Sequence, residues 1–473
     1  MNSLTDNLTP IDIPLCVDLD GTLIKSDLLI ESIFALIKVS PLSLFRGKAF
    51  FKYQIASRVE MNPSLLPYQT EFLDFLKEEH ANGRQLILAT ASNELLAEQV
   101  SRHLNIFSEV IASNSKYNVS GTNKRKLLQK KFGDHGFDYA GNDKVDIDVW
   151  RYARKGIAVN AESKVVKAAR KVCELKEIFD DRSHGLKSYI QAMRLYQWSK
   201  NVLIFIPIII AQQLSLENFY SALVAFLSFS LCASSVYLLN DLIDLPLDRA
   251  HPRKCNRPFA AGTIHPMKGV IFMLLLLSAS FGLSLLLSWQ FSISLILYYL
   301  ITNFYSLILK QKMLVDVVVL AGLYTMRVIA GAAATLIVPS FWLLAFSMFL
   351  FLSLAIVKRS AELIQSEQDN DHQIAGRSYN KNDLPNLNAM GIAAGYLSVL
   401  VIALYINSPE VVVLYSYPKA LWMICPMLLY WISRMWLKVA RDEMHDDPIV
   451  FTAKDRVSQI IGALTALILV IAI

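Results

Sequence analysis

Asp241, Asp244 and Asp248 recur at i, i+3 and i+7 in the run Asn240-Asp241-Leu242-Ile243-Asp244-Leu245-Pro246-Leu247-Asp248. On a helix that spacing puts three carboxylates on one face, and Pro246 is expected to end or kink the helix there. Two unit charges about 4 Å apart repel by roughly 4 kcal/mol at an effective dielectric near 20, so the three together ask for a cation. An oxygen-only set suits Mg²⁺ shared with substrate phosphates. The basic run His251-Pro252-Arg253-Lys254-Cys255-Asn256-Arg257-Pro258 follows at once. Anions beside cations at the end of an apolar stretch are what holding a metal-bound diphosphate requires. The alternative is a solvated acidic loop beside a solvated basic one.

A second set of polar residues lies in the first third of the chain. Pro14-Leu15-Cys16-Val17-Asp18-Leu19-Asp20-Gly21-Thr22 is a short apolar strand that delivers two aspartates onto a tight turn. A second strand, 86–90, ends at Thr90; Lys124 opens a helix after a Gly-Thr-Asn turn; a third strand leads into Gly141-Asn142-Asp143 and Asp146. Strands alternating with helices imply a doubly wound parallel α/β sheet, whose ligands bind at the carboxyl ends of its strands.

Over roughly residues 11–165 these pieces resemble the haloacid-dehalogenase phosphohydrolases, whose signature is DxDGT, a Ser/Thr, a Lys and GDxxxD. The resemblance implies Asp18 as nucleophile, Asp20 as acid/base, Thr90 and Lys124 on the phosphoryl oxygens, and Mg²⁺ on Asp18 and Asp146. Asn142 departs from the family pattern: it stands where a first carboxylate is usual, and an amide offers oxygen without charge. Residues 27–85 are expected to form a helical cap. Its Arg46, Lys48, Lys52 and Arg58 alternate with Phe45, Phe50, Phe51 and Tyr53, which suits either a membrane surface or an ordinary amphipathic cap helix.

The chain has 473 residues, 54% of them hydrophobic and only 18% charged, and the charge is unevenly placed. The first 190 or so have soluble composition; beyond them apolar runs alternate with charged loops. A domain boundary near 185 follows, with 1–185 the α/β domain and 186–473 an all-α membrane bundle. No basic start and apolar stretch opens the chain, so no cleaved leader is expected. The five cysteines show neither metal spacing nor a pairing pattern.

The runs 201–240, 269–309, 317–357 and 384–433 each suit two spans of roughly 20 residues, and 457–473 one more, making nine. Loops on one side carry sixteen Lys and Arg, those on the other only Lys419. That asymmetry places the charged loops and the N-terminal domain in the cytoplasm and the C-terminus outside. Arg327, 11 residues past Asp316 and so about 16 Å along a helix, is expected to point inward to an anion or to pair structurally.

The run from Asn240 to Pro258 fits NDxxDxxxDxxHPxKxxRP, and the bundle resembles the UbiA superfamily of intramembrane transferases. More narrowly it resembles the polyprenyl-phosphate phosphoribosyltransferases, through Trp198, Lys200 and Asn201, Arg257, Tyr305 and Lys310, Asp316, Arg327 and Lys358 with Arg359. The resemblance implies a 5-phosphoribosyl diphosphate donor and a polyprenyl phosphate acceptor at an inner (cytoplasmic) membrane. Mg²⁺ would sit on Asp241, Asp244 and Asp248, with Asn240 assisting. Lys254, Arg257 and Lys310 would take the leaving diphosphate, and Lys200, Asn201, Tyr305, Arg327 and Lys358 would contact substrate. His251, followed by proline, is expected to be structural. The loop after Lys358 lacks a second aspartate array and offers Lys358, Arg359 and Arg377, which favours a phosphate acceptor, although Asp369 and Asp371 keep a degenerate array open. The rivals are an isoprenyl transferase acting on an aromatic acceptor and a transporter. The second is disfavoured because the polar clusters lie at one set of helix ends and not at mid-membrane. Removal of the ribosyl 5-phosphate by the N-terminal domain would complete a two-step reaction.

Overall fold

The computed structural model describes residues 13–39, 61–115, 117–181, 185–368, 378–444 and 447–473. Arg46, Lys48, Lys52 and Arg58 of the expected cap lie outside them, as do Asp369, Asp371 and Arg377. The chain divides into two compact units: Met1–Met193 with Tyr237–Met273, and Arg194–Val236 with Leu274–Ile473.

The first unit holds a six-stranded, all-parallel sheet in the order β3-β2-β1-β4-β5-β6, with β1 Leu15–Val17, β2 Leu86–Asn93, β3 Glu109–Ser113, β4 Asp138–Gly141, β5 Lys155–Val159 and β6 Glu174–Phe179. Alternate strand residues feed opposite cores. Leu15, Val17, Leu86 and Leu88 pack on one face, and Cys16, Ile87, Tyr139 and Trp150 on the other. A parallel sheet needs both faces covered, because its crossover helices lie on each side. Central β1 pairs with β2 at Val17–Leu88 and with β4 at Val17–Ala140, so the chain leaving β1 runs between the ends of its two neighbours.

The long helix Leu216–Ile243 breaks at Asp244, and Pro246 falls in the first turn of the next helix, Leu245–Ala250. Proline is tolerated there because the first-turn N–H groups have no intrahelical partner. Asp241 therefore closes one helix and Asp248 lies in another.

Among the described residues six helices are long and apolar enough to cross a membrane: Leu216–Ile243, Pro266–Ser284, Val315–Thr335, Phe341–Gln365, Lys381–Ile406 and Pro418–Ala440. A seventh arises if Pro448–Lys454 and Arg456–Ala472, bent by 82°, count together. The expectation of nine spans is corrected to this number for two local reasons. Residues 195–205 form a 3₁₀ helix continued only by Ile206–Ile210, where Pro207 supplies no N–H, so this apolar segment is too short. Helix Trp289–Leu307 carries Gln290, Ser292, Ser294, Thr302, Asn303 and Ser306, a polar load that keeps it outside the set. The 82° bend has its own cause. Asp455 accepts from Ser458 N at 2.9 Å as the cap of the last helix, and Arg434 grips the same carboxylate at 2.7 and 2.9 Å.

The second unit packs around Tyr324, Val328, Phe351, Val357, Trp431, Ile432 and Trp436. Outward residues such as Leu285, Val338 and Leu216 stay exposed, as lipid-facing positions would.

Candidate functional site

In the first unit the residues read from the sequence come together at the carboxyl ends of β1, β2 and β4. Lys124 Nζ donates to Asp18 Oδ1 at 2.7 Å and to Tyr139 OH at 2.9 Å, and lies 4.0 Å from Asp146 Oδ1. Tyr139 OH donates to Asp146 Oδ1 at 2.6 Å, while Asp146 Oδ2 accepts from the N–H groups of Asn142 and Asp143 at 2.9 and 3.0 Å. Asp20 accepts from Leu28 N at 2.8 Å and Ser92 Oγ at 2.5 Å. Thr90 is fully buried, and its hydroxyl accepts from Ser92 N at 3.0 Å.

Two glycines allow this closeness. At Gly21, with φ +75°, a Cβ would come 2.1 Å from Asn142 Nδ2. At Gly141 it would come 2.7 Å from the Asp146 carboxylate. Ser92 and Tyr139 were missed by the sequence reading. Each is one or two positions from a motif residue, but nothing in the local pattern marks them as facing the site.

Burial raises the Asp18 carboxyl to about 6, with Lys124 opposing and Asp146 adding to the rise. Burial followed by the Asp27 charge raises Asp20 to about 7, against hydrogen bonds from Leu28 and Ser92. Burial works to lower Lys124, but the Asp18 and Asp146 charges outweigh it and hold the ammonium above its ordinary value. A carboxyl poised near neutrality, as Asp20 is, suits an acid/base group.

Within the same unit, Asp241 and Asp248 are both buried and converge on one guanidinium nitrogen: Arg257 Nη1 lies 3.1 Å from Asp241 Oδ1 and 2.6 Å from Asp248 Oδ2. Asp244 and Asn240 are half-buried beside them, and Lys254 is exposed. Among the described residues no three His, Cys, Asp or Glu side chains converge as a metal set. The donor chemistry nevertheless fits a cation, since the two buried carboxylates already share one. The same is true of Asp18 and Asp146 around Lys124.

In the second unit, Lys200 Nζ and Lys358 Nζ lie 2.7 and 3.1 Å from the same oxygen, Asp447 Oδ2. Lys200 is buried and faces the Tyr324 ring at 5.7 Å. Buried Arg327 bonds to neutral groups: Asn201 Oδ1 at 2.9 Å, the Leu323 carbonyl at 2.5 Å and Tyr298 OH at 3.3 Å. The rings of Phe229, Tyr298 and Tyr324 surround it at 5.2–5.4 Å, a cation–π box. The sequence groups Arg359 with Lys358 as suited to a phosphate, and the structure corrects this. Arg359 is fully buried, 2.8 Å from Asp316 Oδ2, with Glu362 on its other side, so it serves the fold. Tyr305 and Lys310 are half-buried at the end of helix Trp289–Leu307 and in the turn after it. Asp447 was not assigned from the sequence, because it lies 247 positions from Lys200.

Apolar helices of spanning length define a multi-pass membrane protein. The chain belongs to the UbiA prenyltransferase family, which it matches over residues 202–458. It is 35% identical over 469 residues to the uncharacterized protein y4nM of Sinorhizobium fredii, covering 96% of this chain and 90% of that one. It is 35% identical over 184 residues to the decaprenyl-phosphate phosphoribosyltransferase of Mycolicibacterium smegmatis, covering 38% of this chain and 58% of that one. A solved structure of a UbiA homolog from Archaeoglobus fulgidus bound to DMAPP and Mg²⁺ is 15% identical, with a TM-score of 0.46 over 60% of this chain and 98% of that one.

Proposed function

We propose that the chain transfers a 5-phosphoribosyl group from phosphoribosyl diphosphate to polyprenyl phosphate. The buried pair Asp241 and Asp248, converging on one cation, is the observation that carries this reading. The choice of donor and acceptor is supported by the likeness to the mycobacterial phosphoribosyltransferase. An oxygen of the acceptor phosphate attacks the anomeric carbon, the bond from that carbon to the diphosphate oxygen breaks, and diphosphate leaves. Mg²⁺ held by Asp241, Asp244 and Asp248 would neutralise charge on the diphosphate. Arg257 and Lys254 stabilise the same growing charge. The acceptor is already anionic near neutral pH, so no general base is needed. Lys200 and Lys358 suit its phosphate.

The parallel-sheet domain at 1–185, whose motifs resemble those of the haloacid-dehalogenase phosphohydrolases, would then remove the ribosyl 5-phosphate. Asp18 attacks phosphorus, and the departing 5-oxygen takes a proton from Asp20. Water then cleaves the aspartyl-phosphate, returning that proton to Asp20. Mg²⁺ on Asp18 and Asp146 would offset phosphate charge there.

The test is to incubate membranes holding the chain with radiolabelled phosphoribosyl diphosphate and polyprenyl phosphate, then extract lipid. Label in the lipid fraction is expected. Its absence, with isoprenyl diphosphate consumed in the presence of an aromatic acceptor, would establish the prenyltransferase reading in its place.

A further inference from the structure

Arg249 follows Asp248 in the short helix Leu245–Ala250, yet its partner comes from the far end of the sequence. Nη1 donates to Glu31 Oε2 at 2.9 Å and Nη2 to Glu31 Oε1 at 2.6 Å, a two-pronged pair 218 positions apart with both side chains buried. Nε points to the Ala260 carbonyl at 3.3 Å, and Ser26 Oγ donates to Glu31 Oε1. All three nitrogens of Arg249 are thus engaged by the protein, which leaves this guanidinium a fixed strut and not a substrate ligand. What it braces is the diphosphate motif. One arm of the strut is the backbone that carries Asp248, and the other is the turn from Arg257 to Gly262. Arg257 joins Asp248 to Asp241. The far end of that turn is pinned as well. Gly262 has φ +72° and sits so close to Lys25 and Pro67 that a Cβ would lie 2.7 and 3.1 Å from theirs. Glu31 itself lies in the first turn of helix Leu28–Val39, whose leading N–H is held by Asp20.

We propose that Glu31 is a positioning residue for the Asp241–Asp248 motif: by fixing Arg249 it sets the spacing between Asp248 and the Arg257 turn that a metal-bound diphosphate requires. This rests on reading that motif as the diphosphate site. It assigns to the N-terminal segment a part in the transferase site that its own polar cluster does not explain.

The test is calorimetric titration of inorganic pyrophosphate with Mg²⁺ into the full chain in detergent. Glu31→Ala weakens binding roughly 10- to 100-fold, the range for partners that orient metal-site carboxylates. Glu162→Ala, which removes the exposed Lys268 contact at 3.0 Å between the same two segments, leaves binding unchanged. A misfolded fraction lowers the number of sites per chain without moving Kd, whereas a positioning role moves Kd itself. Should the alanine variant not fold, Glu31→Gln keeps the shape and carries the comparison. Wild-type affinity in the Glu31 variants, with binding lost in Asp241→Asn, overturns the inference and leaves the function standing. Wild-type affinity in Asp241→Asn as well overturns the reading of the motif and this inference with it.

Discussion

Lys200 and Asp447 lie 2.7 Å apart, and Lys358 approaches the same carboxylate oxygen at 3.1 Å. Two ammonium groups share this one carboxylate oxygen, and the half-buried Lys358 also lies near the Glu362 charge, so an anionic ligand would add to what Asp447 supplies. Removing the carboxylate takes this ion pair from both cations, and breaking a buried pair costs roughly 3–5 kcal/mol. Asp447→Asn is therefore expected to lower the melting temperature of the detergent-solubilised chain. Polyprenyl phosphate should restore more of the loss in the variant than it adds to the wild type. Equal stabilisation of both would detach this cluster from the acceptor.

Asp241 is buried and shares its cation with Asp248. Asp241→Asn keeps the volume and removes one charge of the pair. Transfer of labelled phosphoribosyl to lipid should fall on the order of 10²- to 10³-fold, the scale for losing one group that stabilises a leaving anion. The amount of chain recovered from the membrane should not change.

Asp20 is raised to about 7 from an ordinary 3.8, chiefly by burial. The folded state therefore holds this proton more tightly than the unfolded chain. The resulting destabilisation is absent below pH 4, grows as pH rises toward 7, and is complete above it. Asp20→Asn, with no charge to bury, should melt higher than the wild type at pH 8 in the absence of divalent cations. The gain should shrink at pH 5 and vanish near pH 4. A gain independent of pH would mean that the carboxyl does not titrate in that window.

Gly21 carries φ +75° with the Asn142 amide against it. Gly21→Ala adds backbone strain of roughly 1–3 kcal/mol and displaces Asn142. Phosphate release from a phosphomonoester by the full chain should drop well beyond what the stability loss explains. Activity equal to wild type would show that Asn142 need not sit there.

Local patterns in the chain carried much of this arrangement. The apolar run before Asp18, the hydroxyl of Thr90 near the end of β2 and the Asn-Asp pair after β4 each announce a strand nearing a loop. Their convergence follows because parallel sheets gather such ends on one edge. The helix break near Pro246 was equally visible, since it depends on a missing N–H and nothing distant. Span number was less legible: hydropathy over 40 residues does not distinguish an α-helix from the 3₁₀ turns of Leu195–Phe205, which differ in hydrogen-bond register and not in composition.

What the sequence determined by itself was the set of groups: which carboxylates, cations and apolar lengths the molecule has to place. Tertiary structure alone decided their partners. Arg359 went to Asp316 beneath the surface, Arg327 into a ring of aromatics, Lys200 to Asp447, and Arg249 to Glu31. Each pairing joins elements far apart along the chain. Burying a charge is tolerable only where an opposite charge, a dipole or a π-face is already waiting, and that condition is met in three dimensions.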